Sequence, residues 1–267
     1  LLKALSTLGD SPSSYGSLGF LEEIDKITPE NLYTYYKQVI NTDYVDIYVV
    51  GNLDMDEISR IVDKYAKFNV IKNHEVGMYV SNIKRKPVIL SDKSSNAQSN
   101  IVVLVNLNNL TTDEKKYAAN MYNLILGGGS LETKLYQKLR VENSLCYNVG
   151  SMYQKYDGLI IITTSVDINK SKLAVQLIKT CLKEMKTNIS DEELVNAKAL
   201  VKTSLNMTND NIGRIVDNAY YQNISDLDEL DVRLDKFDKV SIRDVKKVAE
   251  KTSISTIYVL EGGSTNE

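Results

Sequence analysis

The first 68 residues show the periodicities of a helix, a strand and a second helix in turn. Thr28 followed by Pro29 is typical of a helix start, and apolar residues then recur at helical spacing. The β-branched and aromatic run from Val45 to Val50 predicts a strand that closes at Gly51. Asp54 is placed to cap a further helix, whose apolar positions are Ile58, Ile61, Val62 and Tyr65.

The pattern fades into polar and charged residues from Phe68 to Lys84, where we predict a domain linker. Beyond it, Ile101 to Leu107 predicts a strand. A helix capped by Thr112 follows and ends at three glycines, Gly127 to Gly129, where left-handed torsions cost little. Leu131 to Arg140 predicts the next helix. We therefore expect domains over residues 1–75 and 76–267.

Two apolar runs, Leu145 to Tyr153 and Leu159 to Val166, predict an antiparallel hairpin, because Asp157-Gly158 between them favours a tight turn. Five further elements are expected toward the carboxyl end. They are a helix from Asn169 to Lys186, a long helix from the Ser190 capping box toward Tyr221 with a kink at Gly213, helices from Asp226 and from Ser241 to Lys251, and a strand from Thr256 to Leu260.

One helix-and-strand pattern occurs twice. The helix starting at Thr28 and its strand at 46–51 are similar to the helix starting at Ser241 and its strand at 256–262, with starts offset by 241 − 28 = 213 residues. Similarity at a domain-sized period favours a duplicated fold, with the tail of one copy and the whole of the next in this chain. The ordinary alternative is that capped helices followed by strands recur by chance.

Composition narrows the class of protein. The chain has 267 residues, of which 43% are hydrophobic and 25% charged, enough for a sizeable core. The net charge of −3 gives no reason to expect nucleic acid as a partner. No apolar run is long enough to span a membrane, and no signal peptide is recognisable. Cys146 and Cys181 lie apart in apolar segments, which favours buried thiols, a reducing compartment and hence the cytoplasm.

Candidate chemistry is sparse. The single histidine, His74, lies in the polar linker, and no zinc-binding spelling of histidine, glutamate or cysteine is present, so we assign His74 no role and expect no metal in this chain. The glycines at Gly127, Gly128 and Gly129 follow a helix and lack the Gly-Lys-Ser/Thr ending of a phosphate loop. A helix end with a tight turn explains them adequately.

The most specific stretch runs from Leu126 to Tyr147. It has a glycine-rich turn, then a helix ending in Leu139-Arg140, then Leu145-Cys146-Tyr147. This order and spacing resembles the second-domain signature of the pitrilysin/insulinase-type zinc peptidases, family M16. The likeness extends along most of the chain and is strongest to short bacterial members, some of which lack the zinc motif.

The resemblance implies a duplicated α/β (α+β) fold of the LuxS/MPP-like metallohydrolase type, with a mixed, mainly antiparallel sheet and helices on one face. In active members, zinc and its histidine and glutamate ligands belong to the first domain's amino-terminal helices, a stretch outside this sequence. The resemblance places Arg140 and Tyr147 as auxiliary groups near the substrate and Gly127, Gly128 and Gly129 along the chamber wall. Without it, Arg140 suits the negative end of a helix dipole and Tyr147 ordinary strand packing.

Two functions remain open. The chain is the non-metal-binding carboxy-terminal half of a zinc peptidase or peptidase-like protein, contacting unstructured peptide, or it is a catalytically silent homologue that acts as a binding or scaffold subunit for an active partner. In both cases we expect this chain alone to be inactive. By analogy with the family, a homodimer or a heterodimer with an active subunit is expected.

Overall fold

The computed structural model describes residues 1–9, 12–15, 19–68, 86–225 and 227–263. The chain forms two compact units. The sheet unit comprises Leu1–Gly16, Met78–Thr203 and Asp231–Glu267, and the helical unit comprises Ser17–Gly77 and Ser204–Leu230. The predicted domain boundary near residue 75 lies outside the described residues, and the division into 1–75 and 76–267, which concerns duplication, stays a prediction.

The described residues of the sheet unit form five strands: β1 (Val88–Lys93), β2 (Gln98–Leu107), β3 (Cys146–Gln154), β4 (Leu159–Asp167) and β5 (Thr252–Glu261). Their spatial order is β1-β5-β2-β4-β3. Of these neighbours, β1 and β5 pair in parallel, and the others pair antiparallel. The predicted mixed, mainly antiparallel sheet and the hairpin of β3 and β4 are confirmed.

Eleven α-helices are found among the described residues. They are α1 (Leu2–Leu5), α2 (Pro12–Tyr15), α3 (Leu21–Ile24), α4 (Pro29–Thr42), α5 (Met55–Tyr65), α6 (Ala119–Leu126), α7 (Ser171–Thr187), α8 (Asp191–Asn206), α9 (Ile212–Ser225), α10 (Leu230–Lys239) and α11 (Ile242–Glu250). Two π-helices among the described residues, Glu114–Ala118 and Tyr136–Val141, precede α6 and β3 in the chain.

The main helices form one layer against the sheet, because α6, α7 and α11 contact one another and α7 also contacts β2. Residues of the central strand are buried on both faces from Ile101 to Leu107. On the opposite face, Leu5 and Leu8 at the amino terminus pack with Val102 and Leu104. Since alternate strand residues point to opposite faces, the core extends on both sides of β2.

Several predicted elements are wrong in detail. Residues 45–50 form no strand, because no strand is described in the helical unit to accept their backbone hydrogen bonds. The long helix toward Tyr221 is two helices, α8 and α9. Four turn residues follow α8, and the side chain of Asn211 accepts from the Arg214 backbone to start α9. The kink expected at Gly213 is therefore a break before it.

Two smaller corrections concern the middle of the chain. The helix expected to be capped by Thr112 is capped by Thr111, whose hydroxyl accepts from the Glu114 backbone N–H while Glu114 accepts from the Thr111 N–H. The helix expected at Leu131–Arg140 is the π-helix Tyr136–Val141. Sequence reasoning missed β1, which follows directly on the expected linker.

Candidate functional site

The glycine turn joins α6 to the edge strand β3. The N–H groups of Gly127 and Gly128 both donate to the Asn123 carbonyl oxygen, at 2.9 and 2.8 Å. The Gly127 carbonyl in turn accepts from the Ser151 N–H at 3.0 Å, and the Ser151 hydroxyl donates to the Asn123 side-chain oxygen at 2.8 Å. The turn is therefore fixed to the strand by backbone and side-chain bonds together.

Each glycine of the turn is required for a different physical reason. A Cβ on Gly127 would lie 2.7 Å from a Leu135 methyl and 2.9 Å from the Ser151 backbone nitrogen, and one on Gly128 would lie 2.4 Å from the Asn123 side chain. Gly129 adopts φ +105°, which favours glycine, and faces open space. Gly127 and Gly128 permit close packing, and Gly129 leaves the surface open.

A cavity of about 570 Å³ lies beside this turn. It is bounded by the turn, the start of the next helical segment, the middle of β3 and part of β4, and no charged side chain of the described residues lines it. The residues that line the cavity are Leu1, Gly127, Gly129, Ser130, Leu131, Tyr136, Asn148, Val149, Gly150, Ser151, Met152, Ile161 and Thr163. Such a mixture of apolar groups, hydroxyls and open backbone suits an uncharged, extended ligand.

Arg140 and Tyr147 contact each other at a second location, outside the lining of the cavity. The Arg140 guanidinium sits over the Tyr147 ring, 5.4 Å from its centroid, and its Nη1 donates to the Cys146 carbonyl at 3.1 Å. Tyr147 is 83% exposed. Neither side chain is among the residues that line the cavity. The structure thus pairs the two predicted auxiliary groups, places Gly127 and Gly129 at the cavity, and packs Gly128 against Asn123.

The π-helix Tyr136–Val141 contributes to the cavity and to the arginine–tyrosine pair, because Tyr136 lines the cavity and Arg140 lies over the Tyr147 ring. Widened turns of this kind are frequent at functional sites. Sequence reasoning missed Asn123 and Ser151, which hold the turn. The signal for Asn123 was available, because it is a polar residue at a buried position of the mostly apolar helix α6.

Both cysteines are buried and form no disulfide, as predicted. The Cys181 thiol donates to the Lys134 carbonyl, with sulfur and oxygen 3.6 Å apart, and burial raises its pKa to about 12. The thiolate is the reactive form, so Cys181 is chemically inert at neutral pH.

The described residues do not fit a zinc ion, because no group of three or more histidine, cysteine, aspartate or glutamate side chains among them is arranged as a metal site. His74 lies outside the described residues, and the expectation that this chain holds no metal stays a prediction. Of the helices in the described ranges, none has the length and hydropathy needed to cross a membrane.

The sequence profile described as the peptidase M16 inactive domain matches residues 26–201, and the chain belongs to the M16 peptidase family. It is 26% identical over 249 residues to a probable inactive metalloprotease of Bacillus subtilis, YmfF, covering 91% of this chain and 58% of that protein. It is 24% identical over 211 residues to an uncharacterized zinc protease of Rickettsia felis, covering 78% of this chain and 50% of the relative.

Among solved structures, the M16 inactive domain from Pseudomonas fluorescens superposes with a TM-score of 0.78 at 19% identity, covering 100% of this chain and 66% of that one. This likeness confirms the predicted fold. The chain spans about half the length of the curated relatives it matches, at 58% and 50%.

Proposed function

We propose that this chain is the non-metal-binding half of an M16 metallopeptidase or peptidase-like protein, and that it contacts extended peptide at the glycine turn. The observation that carries the proposal is the cavity of about 570 Å³ beside Gly129, whose described lining has no charged side chain. A peptide in extended conformation has neutral backbone groups, and a wall that contains glycines and small polar residues and no charged side chain among the described residues allows such a backbone to approach closely.

Arg140 and Tyr147 are proposed as auxiliary groups rather than as part of this cavity. The Tyr147 phenol is exposed, and Arg140 holds its ring from beneath. A phenol or guanidinium aimed at the oxygen of a reacting carbonyl stabilises the negative charge that develops there, and loss of one such donor costs about 10²- to 10³-fold in rate. This role needs a metal-bearing half to deliver the reacting carbonyl.

The cavity is tested by filling it. A Cβ on Gly150 would lie 3.5 Å from the Gly127 carbonyl, an ordinary contact, so Gly150→Val places a branched side chain in the cavity without a clash at its first atom. We expect it to weaken binding of a fluorescein-labelled flexible peptide without charged side chains by at least about tenfold, measured by fluorescence anisotropy.

The matched control is Gln154→Val, on the same strand but outside the lining residues. It should bind the peptide like the parent chain, and both variants should keep the parent's circular dichroism spectrum. Equal binding by Gly150→Val and the parent would remove peptide contact from this cavity.

The proposal includes inactivity of the 267-residue chain by itself. We expect less than stoichiometric zinc by elemental analysis after incubation with excess zinc and desalting, and no cleavage of a quenched fluorescent peptide. Peptide turnover that stops on addition of a chelator would contradict it.

A second candidate is a catalytically silent subunit that binds or positions an active partner. The likeness to a protein named a probable inactive metalloprotease favours it, whereas the likeness to one named a zinc protease favours the first candidate. The two candidates differ in the metal-binding half. One zinc ion per chain in elemental analysis of the complete gene product supports the peptidase. A result of no zinc supports the silent subunit.

Three further expectations belong to this proposal. Residues 1–75 are the tail of a first M16 domain and 76–267 a second domain. The protein assembles as a homodimer or with an active M16 subunit, which sedimentation velocity of the complete product tests. Its location is cytoplasmic, which fractionation of cells tests.

A further inference from the structure

The wall segment, residues 129–133, borders the cavity beside the glycine turn and forms neither helix nor strand. Its first three residues line that cavity. The Glu132 N–H donates to the Ser130 hydroxyl at 2.9 Å, and the Gln137 side chain donates to the Leu131 carbonyl at 2.8 Å. These bonds are local in sequence, so they shape the turn without attaching it to a distant element.

A second cavity, of about 250 Å³, also borders the wall segment. Ser130 lines both cavities, and Glu132 and Thr133 line the second. Part of the remaining lining comes from α8. Atoms that border open space lose the contacts that close packing would give them on that side. The place of the wall segment therefore depends on polar links to its neighbours as well as on packing.

Helix α8 supplies two such links. The Asn196 side-chain nitrogen donates to the Glu132 carboxylate at 2.7 Å. Glu193 forms an ion pair with Lys134, the residue directly after the wall segment, with nitrogen and oxygen 2.7 Å apart. Glu193 and Asn196 are three residues apart, so they are neighbours on one face of the helix. The end of the wall segment is thus attached to that face of α8 at two adjacent points.

Both links start from an anchored part of α8. The neighbouring side chains Leu194 and Ala197 are buried. The other carboxylate oxygen of Glu193 accepts from the Ser190 N–H at 2.8 Å, which fixes the side chain as part of the helix cap. The Lys134 side chain is 9% exposed, so dissolved ions screen this pair less than an exposed one. Glu193 therefore connects the fixed start of α8 to the end of the wall segment.

We infer that Glu193 and Asn196 are positioning residues for the peptide site, because they hold the wall segment in the place where it borders the cavity. Neither is among the described residues that line the cavity. Each acts through its partner, Glu193 through Lys134 and Asn196 through Glu132. This role rests on the proposed contact with peptide at the cavity and names the groups that set the shape of that site.

An exchange of donor and acceptor tests the link between Asn196 and Glu132. Asn196→Asp alone places two carboxylates side by side, and like charges repel. We expect it to weaken binding of the labelled peptide at least about tenfold in fluorescence anisotropy. Asn196→Asp combined with Glu132→Gln again sets an amide against a carboxylate and should bind within about threefold of the parent. A single variant that binds like the parent, or a double variant as weak as the single one, overturns the role.

A double-variant cycle tests the pair of Glu193 and Lys134. Glu193→Gln keeps an oxygen for the Ser190 N–H but removes the charge, and Lys134→Met removes the opposite charge. Each should weaken peptide binding at least about threefold, and the double variant no more than about twofold beyond the weaker-binding single variant, since both act through one contact. Effects that multiply overturn the role of the pair. The control Glu192→Gln removes a neighbouring charge of α8 that lines the second cavity, and it should bind like the parent.

Hydrogen exchange of the chain without peptide follows the wall segment directly. The amides of 129–134 should exchange at least about threefold faster in Asn196→Asp and return to the parent's rate in the double variant with Glu132→Gln, while those of β2 stay unchanged. Unchanged exchange of 129–134 overturns the support by α8. Peptide binding that Gly150→Val weakens and Asn196→Asp does not weaken refutes the positioning role alone. A parent chain that binds no peptide refutes the proposed function, and faster exchange in Asn196→Asp then still supports α8 as the holder of the wall segment.

Discussion

Two glycines that lie near each other at the edge of the sheet differ in how much room they have for a side chain. Gly127 leaves no room for a Cβ, because Leu135 and the Ser151 backbone lie at 2.7 and 2.9 Å from where it would be, whereas Gly150 has its nearest neighbour at 3.5 Å. The same change of glycine to alanine therefore has opposite consequences a few ångströms apart.

We expect Gly127→Ala to lower the free energy of unfolding by about 1–3 kcal/mol, because the backbone must shift to admit the methyl group. Gly150→Ala should change it by less than about 1 kcal/mol, in the stabilising direction, because alanine restricts the unfolded chain. Urea unfolding followed by circular dichroism measures both. A Gly127→Ala chain as stable as the parent would show that the turn is not tightly packed.

The buried thiol of Cys181 gives a second test at this scale. Because burial raises its pKa to about 12, almost no thiolate is present at pH 8. We expect iodoacetamide to label Cys181 at least about 100-fold more slowly in the folded chain than in urea, measured by mass spectrometry of its tryptic peptide. Rapid labelling of the folded chain at pH 8 would contradict the burial of this side chain.

At the scale of elements, α4 and α11 begin with matching capping boxes, Thr28 with Asn31 and Ser241 with Asp244, in which each side chain accepts from the other residue's backbone N–H. The Ser241 hydroxyl and backbone hold the pKa of Asp244 below its usual range. Stability from a lowered carboxyl pKa is present above the unfolded-state value and is lost as the pH falls through the folded-state value. The contribution of this box should therefore be present at pH 7 and small at pH 3.

We expect Ser241→Ala to destabilise the sheet unit by about 1 kcal/mol at pH 7, with a smaller difference from the parent at pH 3. Thr28→Ala removes the same box from α4, which has no buried residues, and should leave the unfolding of β2 and β5 unchanged. Urea unfolding at both pH values, with hydrogen exchange to locate the effect, makes the measurement. An equal loss at both pH values would show that the Asp244 charge does not contribute.

Most elements were predictable because their periodicity and their partners both lie within the chain. The hairpin of β3 and β4 is an example, with Asp157-Gly158 between two apolar runs that pair with each other. The run 45–50 has the same composition but no partner strand among the described residues, so its pattern predicts a strand that this structure does not form. Strand β1 was missed because alternation over six residues beside a charged segment is a weak signal.

The break between α8 and α9 shows a different limit. Apolar residues at helical spacing lie on both sides of residues 208–211, but Thr208, Asn209, Asp210 and Asn211 favour turns and caps over helix interiors. Of the candidate site, the glycines and the Arg140 and Tyr147 pair were recognisable by resemblance. The cavity itself was not, because it depends on a turn, a π-helix and a strand that are distant in sequence.

At the scale of the whole molecule, the two units differ in how deeply their helices are buried. None of α4, α5 and α9 has a buried residue, whereas α7 buries five. Local opening is easiest where few apolar contacts are lost. We expect brief trypsin digestion to cut at Lys37 or Lys64 before any lysine of α7, among sites in the described residues, as identified by mass spectrometry. A first cut within α7 would reverse this order of stability.

The position of β5 has a consequence for folding during synthesis of the chain. It is the last strand of the described chain, yet it lies between β1 and β2, whose nearest ends in sequence precede it by about 150 residues. During translation, β1 and β2 therefore lack the strand that pairs between them until residue 261 has left the ribosomal exit tunnel. Premature termination before α11 would release a chain that cannot close its sheet, and slow, long-range closure of this kind exposes the nascent chain to aggregation.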